Sequence, residues 1–205
     1  VHADAKMYVF GGYGQRQYYN ELVVLDTGIM VWLRPHTVGA PPSPCVLHSA
    51  NIISLNSGAH MVVYGGAFDE KPIDQIHTLD IATMRWQNFD KYVWEGPRPE
   101  PRFGHGACAV GTRLFIFGGT TGGVADSWAS YFSRSGFVSG YSGGARNDLC
   151  VANLQSRTFS MPRYGGQRPP PAYRVGAATY RGKLFIFGGV GSNAQVAVLD
   201  TGHHA

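Results

Sequence analysis

Two stretches of this sequence have the residue types and spacing of enzyme motifs. Residues 140–144 read Gly-Tyr-Ser-Gly-Gly and match G-x-S-x-G, in which the serine is a nucleophile held on a sharp turn between a strand and a helix. Residues 118–123 read Gly-Gly-Thr-Thr-Gly-Gly, a glycine-rich run that could approach a phosphate group. No helical pattern follows the serine, and the glycine run lacks the Lys-Ser/Thr pair of a phosphate loop. We therefore expect no catalysis and no cofactor.

Arginine and aromatic side chains are better candidates for a functional surface, because they are enriched among the residues that dominate protein binding. They are concentrated in the segments between hydrophobic runs, above all in residues 120–147. We predict a protein partner and, because arginine pairs well with carboxylates, hypothesise that it is acidic. The alternative is that these aromatic side chains fold back onto their own sheet. The predicted partner-binding residues are Arg98, Trp128, Tyr131, Phe132, Arg134, Tyr141, Arg146 and Arg168.

A pair of glycines recurs four times, each time at the end of a short hydrophobic run. The pairs are Gly11-Gly12, Gly65-Gly66, Gly118-Gly119 and Gly188-Gly189. Their spacings are 54, 53 and 70 residues, and a period near 50 residues indicates a stacked or radial array of repeats. An aromatic residue follows the glycines at a matching place in three of the units, as Trp32, Trp86 and Phe159.

The repeat units have the pattern of short β-strands rather than helices. Runs such as residues 114–117 and 184–187 are aromatic and branched and end at glycine, which favours buried strands. Each unit has room for four strands, called a, b, c and d in chain order, and radially repeated four-stranded sheets form a β-propeller. We predict an all-β propeller of four-stranded antiparallel blades, about four of them wholly or partly present, as a fragment of a larger ring. The predicted repeats are residues 1–33, 34–88, 89–161 and 162–205, with an inserted loop at 120–147.

This pattern resembles the kelch repeat. A double glycine after a hydrophobic strand, a polar residue that opens the next strand (Asn20, Asp74 or Asn147) and an aromatic residue about twenty positions after the glycines are features of that family. The resemblance covers about residues 6–201 and implies a scaffold or adaptor without catalysis. Alternatives within the resemblance are a substrate-recognition subunit of a ubiquitin ligase, or an enzyme on a kelch-like propeller of the sugar oxidase or sialic-acid mutarotase type.

One metal pattern of related proteins is incomplete in this sequence. Glu70, Asp74 and His77 resemble the E-x-x-x-D-x-x-x-H iron-binding spacing of plant specifier proteins, which are kelch propellers, but the histidine comes one residue early. His77 also falls in a predicted strand, where alternation would point it away from a loop site. We therefore predict no metal site.

The repeat residues themselves are predicted to be structural. Paired glycines let the chain leave a buried strand sharply. Trp32, Trp86 and Phe159 are expected to be buried between neighbouring sheets, and His48 and His105 to bond the backbone near the blade junctions.

The connections between strands are predicted to differ between the two ends of the blades. Because successive strands alternate in direction, the d–a and b–c connections emerge on one face, and the long ones are residues 34–47, 90–104, 120–147 and 160–173. Loops on a rigid scaffold commonly carry function. We therefore predict that the binding surface lies on this face.

Composition narrows the possible partners and location. There are 17 basic and 13 acidic residues, for a net charge of +4, and no basic run that indicates nucleic-acid binding. No apolar stretch reaches 18 residues, so we expect no membrane span. Three scattered cysteines, Cys45, Cys108 and Cys150, are expected to be free thiols in a reducing compartment. We predict a cytoplasmic protein that is a subunit of a larger assembly.

Overall fold

The structure is a computed structural model of the 205-residue chain, and it describes residues 1–69, 71–122, 144–192 and 196–202. Within these ranges the regular structure is β-strand, apart from one 3₁₀ turn at Phe89–Lys91. The strands are β1 (His2–Ala3), β2 (Lys6–Gly14), β3 (Gln17–Asp26), β4 (Val31–Leu33), β5 (Val38–Gly39), β6 (Ser49–Leu55), β7 (Gly58–Tyr64), β8 (Ala67–Phe68), β9 (Lys71–Pro72), β10 (Ile76–Asp80), β11 (Arg85–Asn88), β12 (Gly106–Val110), β13 (Arg113–Phe117), β14 (Leu149–Asn153), β15 (Thr158–Ser160), β16 (Gly176–Tyr180), β17 (Lys183–Phe187) and β18 (Ala197–Asp200).

All strands but β8 and β9 belong to four sheets, here called blades I to IV, and β8 and β9 form a separate two-stranded hairpin. Blade I has the order β1-β2-β3-β4, and blade III the order β12-β13-β14-β15. Blade II has the order β6-β7-β10-β11, with β5 added in parallel to β11 at its outer edge. Blade IV contains β16-β17-β18 in the part of the chain that is described. The prediction of an all-β fold built from four-stranded antiparallel blades is confirmed.

The blades are arranged radially, with the first strand of each at the centre. Inner strands β6 and β12 pack against each other, as do β12 and β16. A central cavity of about 260 Å³ is lined by all four inner strands, through residues that include His2, Asn51, Cys108 and Thr179. This arrangement is that of a β-propeller.

Successive blades are held together by apolar side chains that alternate along each central strand. On β7, Met61 and Val63 pack toward blade I, whereas Val62 and Tyr64 pack toward blade III. All four side chains are almost fully buried. Each side chain of this size contributes roughly 1.5–3 kcal/mol when it is removed from water. The near-continuous hydrophobic run therefore follows from a strand that is covered on both faces.

The predicted aromatic positions differ in burial. Trp86 and Phe159 lie between sheets with 3% of their surface exposed, and Trp86 packs on Phe10 with ring centroids 5.1 Å apart. The prediction that Trp32 is buried is wrong, because 57% of its surface is exposed. It lies on β4, opposite Leu25, where no described segment covers the edge of blade I as β5 covers Trp86.

Candidate partner-binding face

One end of the blades is built by a bond that recurs at three blade junctions. The backbone N–H of the second glycine in each pair donates to a carbonyl of the next d–a connection: Gly12 to Cys45, Gly66 to Arg102 and Gly119 to Ala172, at 2.8–2.9 Å. The b–c and d–a connections therefore meet at the same end. We call this end the loop face.

A buried ion pair lies under the loop face between blades II and III. The guanidinium of Arg102 has no exposed surface and donates two hydrogen bonds of 2.9 Å to the carboxylate oxygens of Asp148. It also donates to the carbonyls of Gly118 and Glu100. Burial by itself would raise the pKa of Asp148, but the hydrogen bond and charge of Arg102 bring it below its usual value. Arg102 therefore has a structural role, as its place in the repeat indicated.

Arg98, a predicted partner-binding residue, is engaged within the protein. Its guanidinium pairs with the carboxylates of Asp74 and Asp90 and donates to the Asp74 carbonyl. It also lies 5.7 Å from the ring centre of Phe159. Two carboxylates around one guanidinium leave this site without an excess of positive charge. Arg98 therefore orders the connection between blades II and III in the unbound protein.

The other predicted arginines on described segments also have neighbours. Arg146 forms an ion pair of 2.6 Å with Glu100 and lies 3.6 Å from Asp148. Arg168 stacks over the ring of Tyr164, with 5.6 Å between the guanidinium carbon and the ring centre. Five predicted residues, Trp128, Tyr131, Phe132, Arg134 and Tyr141, lie outside the described residues, as does most of the G-x-S-x-G match.

The base of the inserted loop is anchored at the loop face. Thr120 bridges Phe103 on one side and Ala145 on the other, and the N–H of Arg146 donates 2.8 Å to the carbonyl of Gly119. The two ends of the insert therefore leave blade III side by side. A Cβ on Gly122, where the insert departs, would lie 3.9 Å from Cδ of Pro72 in the b–c hairpin of blade II, which is formed by β8 and β9.

An aromatic cluster on the loop face was missed from the sequence. Tyr13 and Tyr18, on the extended β2–β3 hairpin, have ring centres 5.0 Å apart, and Tyr18 lies 5.3 Å from Phe68 on β8. Tyr13 and Phe68 are 36% and 41% exposed. The three tyrosines within residues 13–19 could have indicated an aromatic cluster from the sequence alone. The contact with Phe68 could not have been predicted in this way, because it joins two different blades.

The identity of the fold is supported by sequence comparison. The KLHDC2/KLHL20/DRC7 Kelch-repeats domain matches residues 1–136, about two thirds of the chain. The chain belongs to the kelch-repeat family. The resemblance predicted from the double glycines is therefore confirmed.

Several curated proteins are similar to this chain over part of their length. Acyl-CoA-binding domain-containing protein 5 of Arabidopsis thaliana is 32% identical over 54% of this chain and 16% of that protein. Rab9 effector protein with kelch motifs of Rattus norvegicus is 35% identical over 57% of this chain and 30% of that protein. Kelch domain-containing protein 2 of Bos taurus is 25% identical over 88% of this chain and 38% of that protein. The alignments thus span well under half of each relative.

The kelch junctions contain two histidines in equivalent places, of which His105 is buried and His48 is half-buried. His105 Nε2 and Ser49 Oγ share a hydrogen bond of 2.9 Å, and His48 Nδ1 lies 3.4 Å from Cys45 Sγ. His105 therefore bonds a side chain in the neighbouring blade, rather than the backbone that we expected. Burial lowers the pKa of His48 to about 4 and that of His105 to about 3, so both imidazoles are neutral at physiological pH.

Acidification should therefore destabilise the kelch fold. Between pH 6.5 and about 4 these histidines bind protons in the unfolded chain but not in the folded one, so stability falls as pH falls. From pH 7.5 to 5.0 we expect a loss of about 2 kcal/mol for each histidine. The difference in the free energy of unfolding is measured by urea denaturation at the two pH values. His105→Gln should reduce the difference by about 2 kcal/mol. His36→Gln, at an exposed position, is the control.

The cysteines and the incomplete metal pattern of the sequence can now be placed in the blades. Burial raises the pKa of Cys45 and Cys108 to about 12, so these thiols are protonated at neutral pH. Asp74 pairs with Arg98, and His77 is buried in β10, while Glu70 lies outside the described residues. Across the described ranges, no group of three or more His, Cys, Asp or Glu residues is placed to hold a metal ion. The same ranges contain no helix long and apolar enough to cross a bilayer.

Proposed function

We propose that this kelch propeller is a protein-interaction module that binds its partner through the loop face, without catalysis of its own. The observation that supports this most directly is a strip of aromatic side chains on the loop face, formed by Tyr13, Tyr18 and Phe68 across blades I and II. Tyr and Trp side chains that present a large apolar area beside polar atoms are enriched at binding hot spots. The relatives named above, one of them a Rab9 effector, are compatible with this role.

The strip runs from blade I toward the base of the inserted loop. It begins at Tyr13 and Tyr18, continues to Phe68 on β8, and passes through the β8–β9 hairpin to Pro72. A Cβ built on Gly122, at the start of the insert, would lie 3.9 Å from Pro72 Cδ. The predicted residues Trp128, Tyr131, Phe132 and Tyr141 belong to this insert, so we propose that they extend the strip.

The acidic character of the partner rests on a smaller set of residues than the sequence suggested. Arg98 and Arg146 are each offset by carboxylates, so Arg134 and Arg168 are the proposed contacts for partner carboxylates. The cytoplasmic location and membership of a larger assembly remain parts of the same proposal.

Partner binding should depend on both ends of the strip. We expect Tyr13→Ala with Phe68→Ala, and separately Trp128→Ala with Tyr131→Ala, to weaken binding at least tenfold, since each hot-spot truncation costs about 1–2 kcal/mol. The measurement is quantitative mass spectrometry of proteins captured from cell extract by each variant, at low and high salt. An acidic partner should be released as the salt concentration rises.

The matched control is Tyr180→Ala, an exposed tyrosine beside the a–b turn of blade IV at the opposite end of the blades. Proteins that the loop-face variants lose should be retained by this variant. Equal capture by all variants, or equal loss in all of them, would contradict a loop-face partner. Unchanged thermal unfolding of the variants separates lost binding from lost folding.

A further inference from the structure

The end of the blades opposite the loop face repeats one arrangement of charged residues. In blades I, II and IV a basic residue near the start of the b strand lies opposite an aspartate at the end of the c strand. The pairs are Lys6 with Asp26, His60 with Asp80 and Lys183 with Asp200. In blade III the equivalent pair is Arg113 with Asn153. The cation of blade III therefore lacks the carboxylate that the repeat provides in the other three blades.

Arg113 has no other counter-charge among the described residues. It takes part in none of the ion pairs in those ranges. Its Nη2 atom is buried and has no hydrogen-bond partner there, and the guanidinium lies 5.7 Å from the ring centre of Phe115. Because a guanidinium keeps its charge at all physiological pH values, this end of blade III has an uncompensated positive charge.

Two exposed arginines carry further positive charge at this end. Arg157, in the c–d turn of blade III, lies 4.1 Å from the ring centre of Tyr92, and Arg181, in the a–b turn of blade IV, lies 5.2 Å from that of Tyr180. Neither forms an ion pair within the described ranges, and neither does Glu95, whose backbone bridges to blade III beside Arg157. We call Arg113, Arg157 and Arg181 the basic patch.

The three turns that carry the basic patch are joined by hydrogen bonds. The N–H of Leu154 donates 3.0 Å to the carbonyl of Thr112, which joins the c–d and a–b turns of blade III. The hydroxyl of Thr179 donates 3.4 Å to the carbonyl of Ala109, which joins the inner strands of blades III and IV just before their a–b turns. Each turn connects two strands that pair with each other, so the patch is formed by hairpin ends and includes no open strand edge.

Charge at this end of the blades is divided between two halves. The a–b and c–d turns of blades III and IV carry four cations and one carboxylate, namely Arg113, Arg157, Arg181 and Lys183 against Asp200. Those of blades I and II carry two cations and three carboxylates, namely Lys6 and Arg85 against Asp4, Asp26 and Asp80. A bilayer surface or a nucleic-acid duplex is broad enough to cover both halves and would meet these carboxylates. A narrow acidic segment would lie on the basic half alone.

We propose that the basic patch binds an acidic segment of a partner polypeptide, with carboxylates of that segment on Arg113, Arg157 and Arg181. Guanidinium groups suit this ligand because they bond carboxylates through two parallel N–H donors. The patch is a second interaction surface at the opposite end of the blades from the loop face. It does not depend on whether the loop face binds a partner.

A fluorescein-labelled poly-glutamate peptide provides the probe. We expect saturable binding to the 205-residue chain in fluorescence anisotropy at low salt, and weaker binding as the salt concentration rises. Arg113→Gln with Arg181→Gln should weaken binding about tenfold, because two charge-assisted hydrogen-bonding groups are lost. Lys6→Gln with Arg85→Gln removes the same charge from the other half of this end and should change the affinity less than about twofold.

The variant Asn153→Asp tests the missing carboxylate without removing an arginine. Asp26 and Asp80 accept the same turn hydrogen bonds as Asn153, from the N–H groups two and three residues on, so the turn should be retained. The new carboxylate opposite Arg113 should weaken peptide binding about threefold. Asn20→Asp adds the same charge at an exposed position of β3 in blade I and should leave the affinity unchanged.

Several results would overturn the proposal. They include absence of saturable binding and equal weakening by Asn153→Asp and Asn20→Asp. Loss of binding in Arg134→Gln with Arg168→Gln would place the peptide on the loop face instead. Tighter binding of phosphatidylserine vesicles or of single-stranded DNA than of the peptide would assign the patch to a different class of polyanion.

Discussion

Replacing Asp148 by asparagine is expected to lower the free energy of unfolding by about 3–5 kcal/mol. The change leaves the Arg102 guanidinium fully buried without its counter-charge, since no surface of that side chain is exposed. Replacing Arg102 by methionine should cost less, because the carboxylate of Asp148 is 24% exposed and lies 3.6 Å from Arg146. Urea denaturation at neutral pH measures both losses.

The double variant tests whether the two side chains act as a pair. Arg102→Met combined with Asp148→Asn should be more stable than Asp148→Asn alone, because no unpaired buried charge remains. Simple addition of the two single losses would contradict a coupled pair. Arg34→Met is the control, since the Arg34–Glu21 pair is largely exposed and should contribute less than about 1 kcal/mol.

Replacing Gly65 by alanine is expected to destabilise the protein by about 3–4 kcal/mol. Its φ of +62° costs a residue with a Cβ about 1–2 kcal/mol. In addition, the Cβ would lie 2.8 Å from the carbonyl oxygen of Arg102 and 2.9 Å from His105 Cε1. Neither the backbone nor the packed imidazole can move without disturbing the junction of blades II and III, so overpacking adds about 2 kcal/mol.

Gly188 is the internal control, because it occupies the same repeat position and has nearly the same φ, +66°. No described atom lies within 4 Å of the place where its Cβ would be. Gly188→Ala should therefore cost only the backbone strain, about 1–2 kcal/mol. Equal losses for Gly65→Ala and Gly188→Ala in urea denaturation would show that backbone conformation alone requires glycine at this position.

Much of the architecture could be predicted from the sequence, because it depends on local and repeated patterns. In blades II, III and IV the paired glycines follow the end of the buried strand, whereas Gly11 and Gly12 lie within β2, where its register with β3 shifts. All eight glycines have positive φ in the structure. Continuous apolar runs such as residues 61–64 predicted strands covered on both faces, and side chains do alternate between two cores there. The strand period and the repeat period are properties of the sequence itself, so they can be recognised without any knowledge of contacts between distant residues.

The ion pairing and burial of individual side chains depend on which segments meet in space. Only the tertiary structure decided these properties. Arg98 and Arg146 were predicted from the sequence to bind a partner, and the structure adds that Asp74, Asp90 and Glu100 form ion pairs with them. Trp32 and Trp86 occupy equivalent places in the repeat, but only Trp86 is buried, because β5 and blade I cover it.

Contacts between residues that are distant in the sequence could be found only in the structure. Phe68 joins Tyr18 across two blades, and His105 bonds Ser49 across a blade junction. By itself the sequence determined a kelch propeller, since periodic burial requires no long-range information. The tertiary structure decided which arginines are paired and which aromatic side chains are exposed. Charge pairing and exposure depend on neighbours that are distant in the chain, and repeat spacing does not report those neighbours.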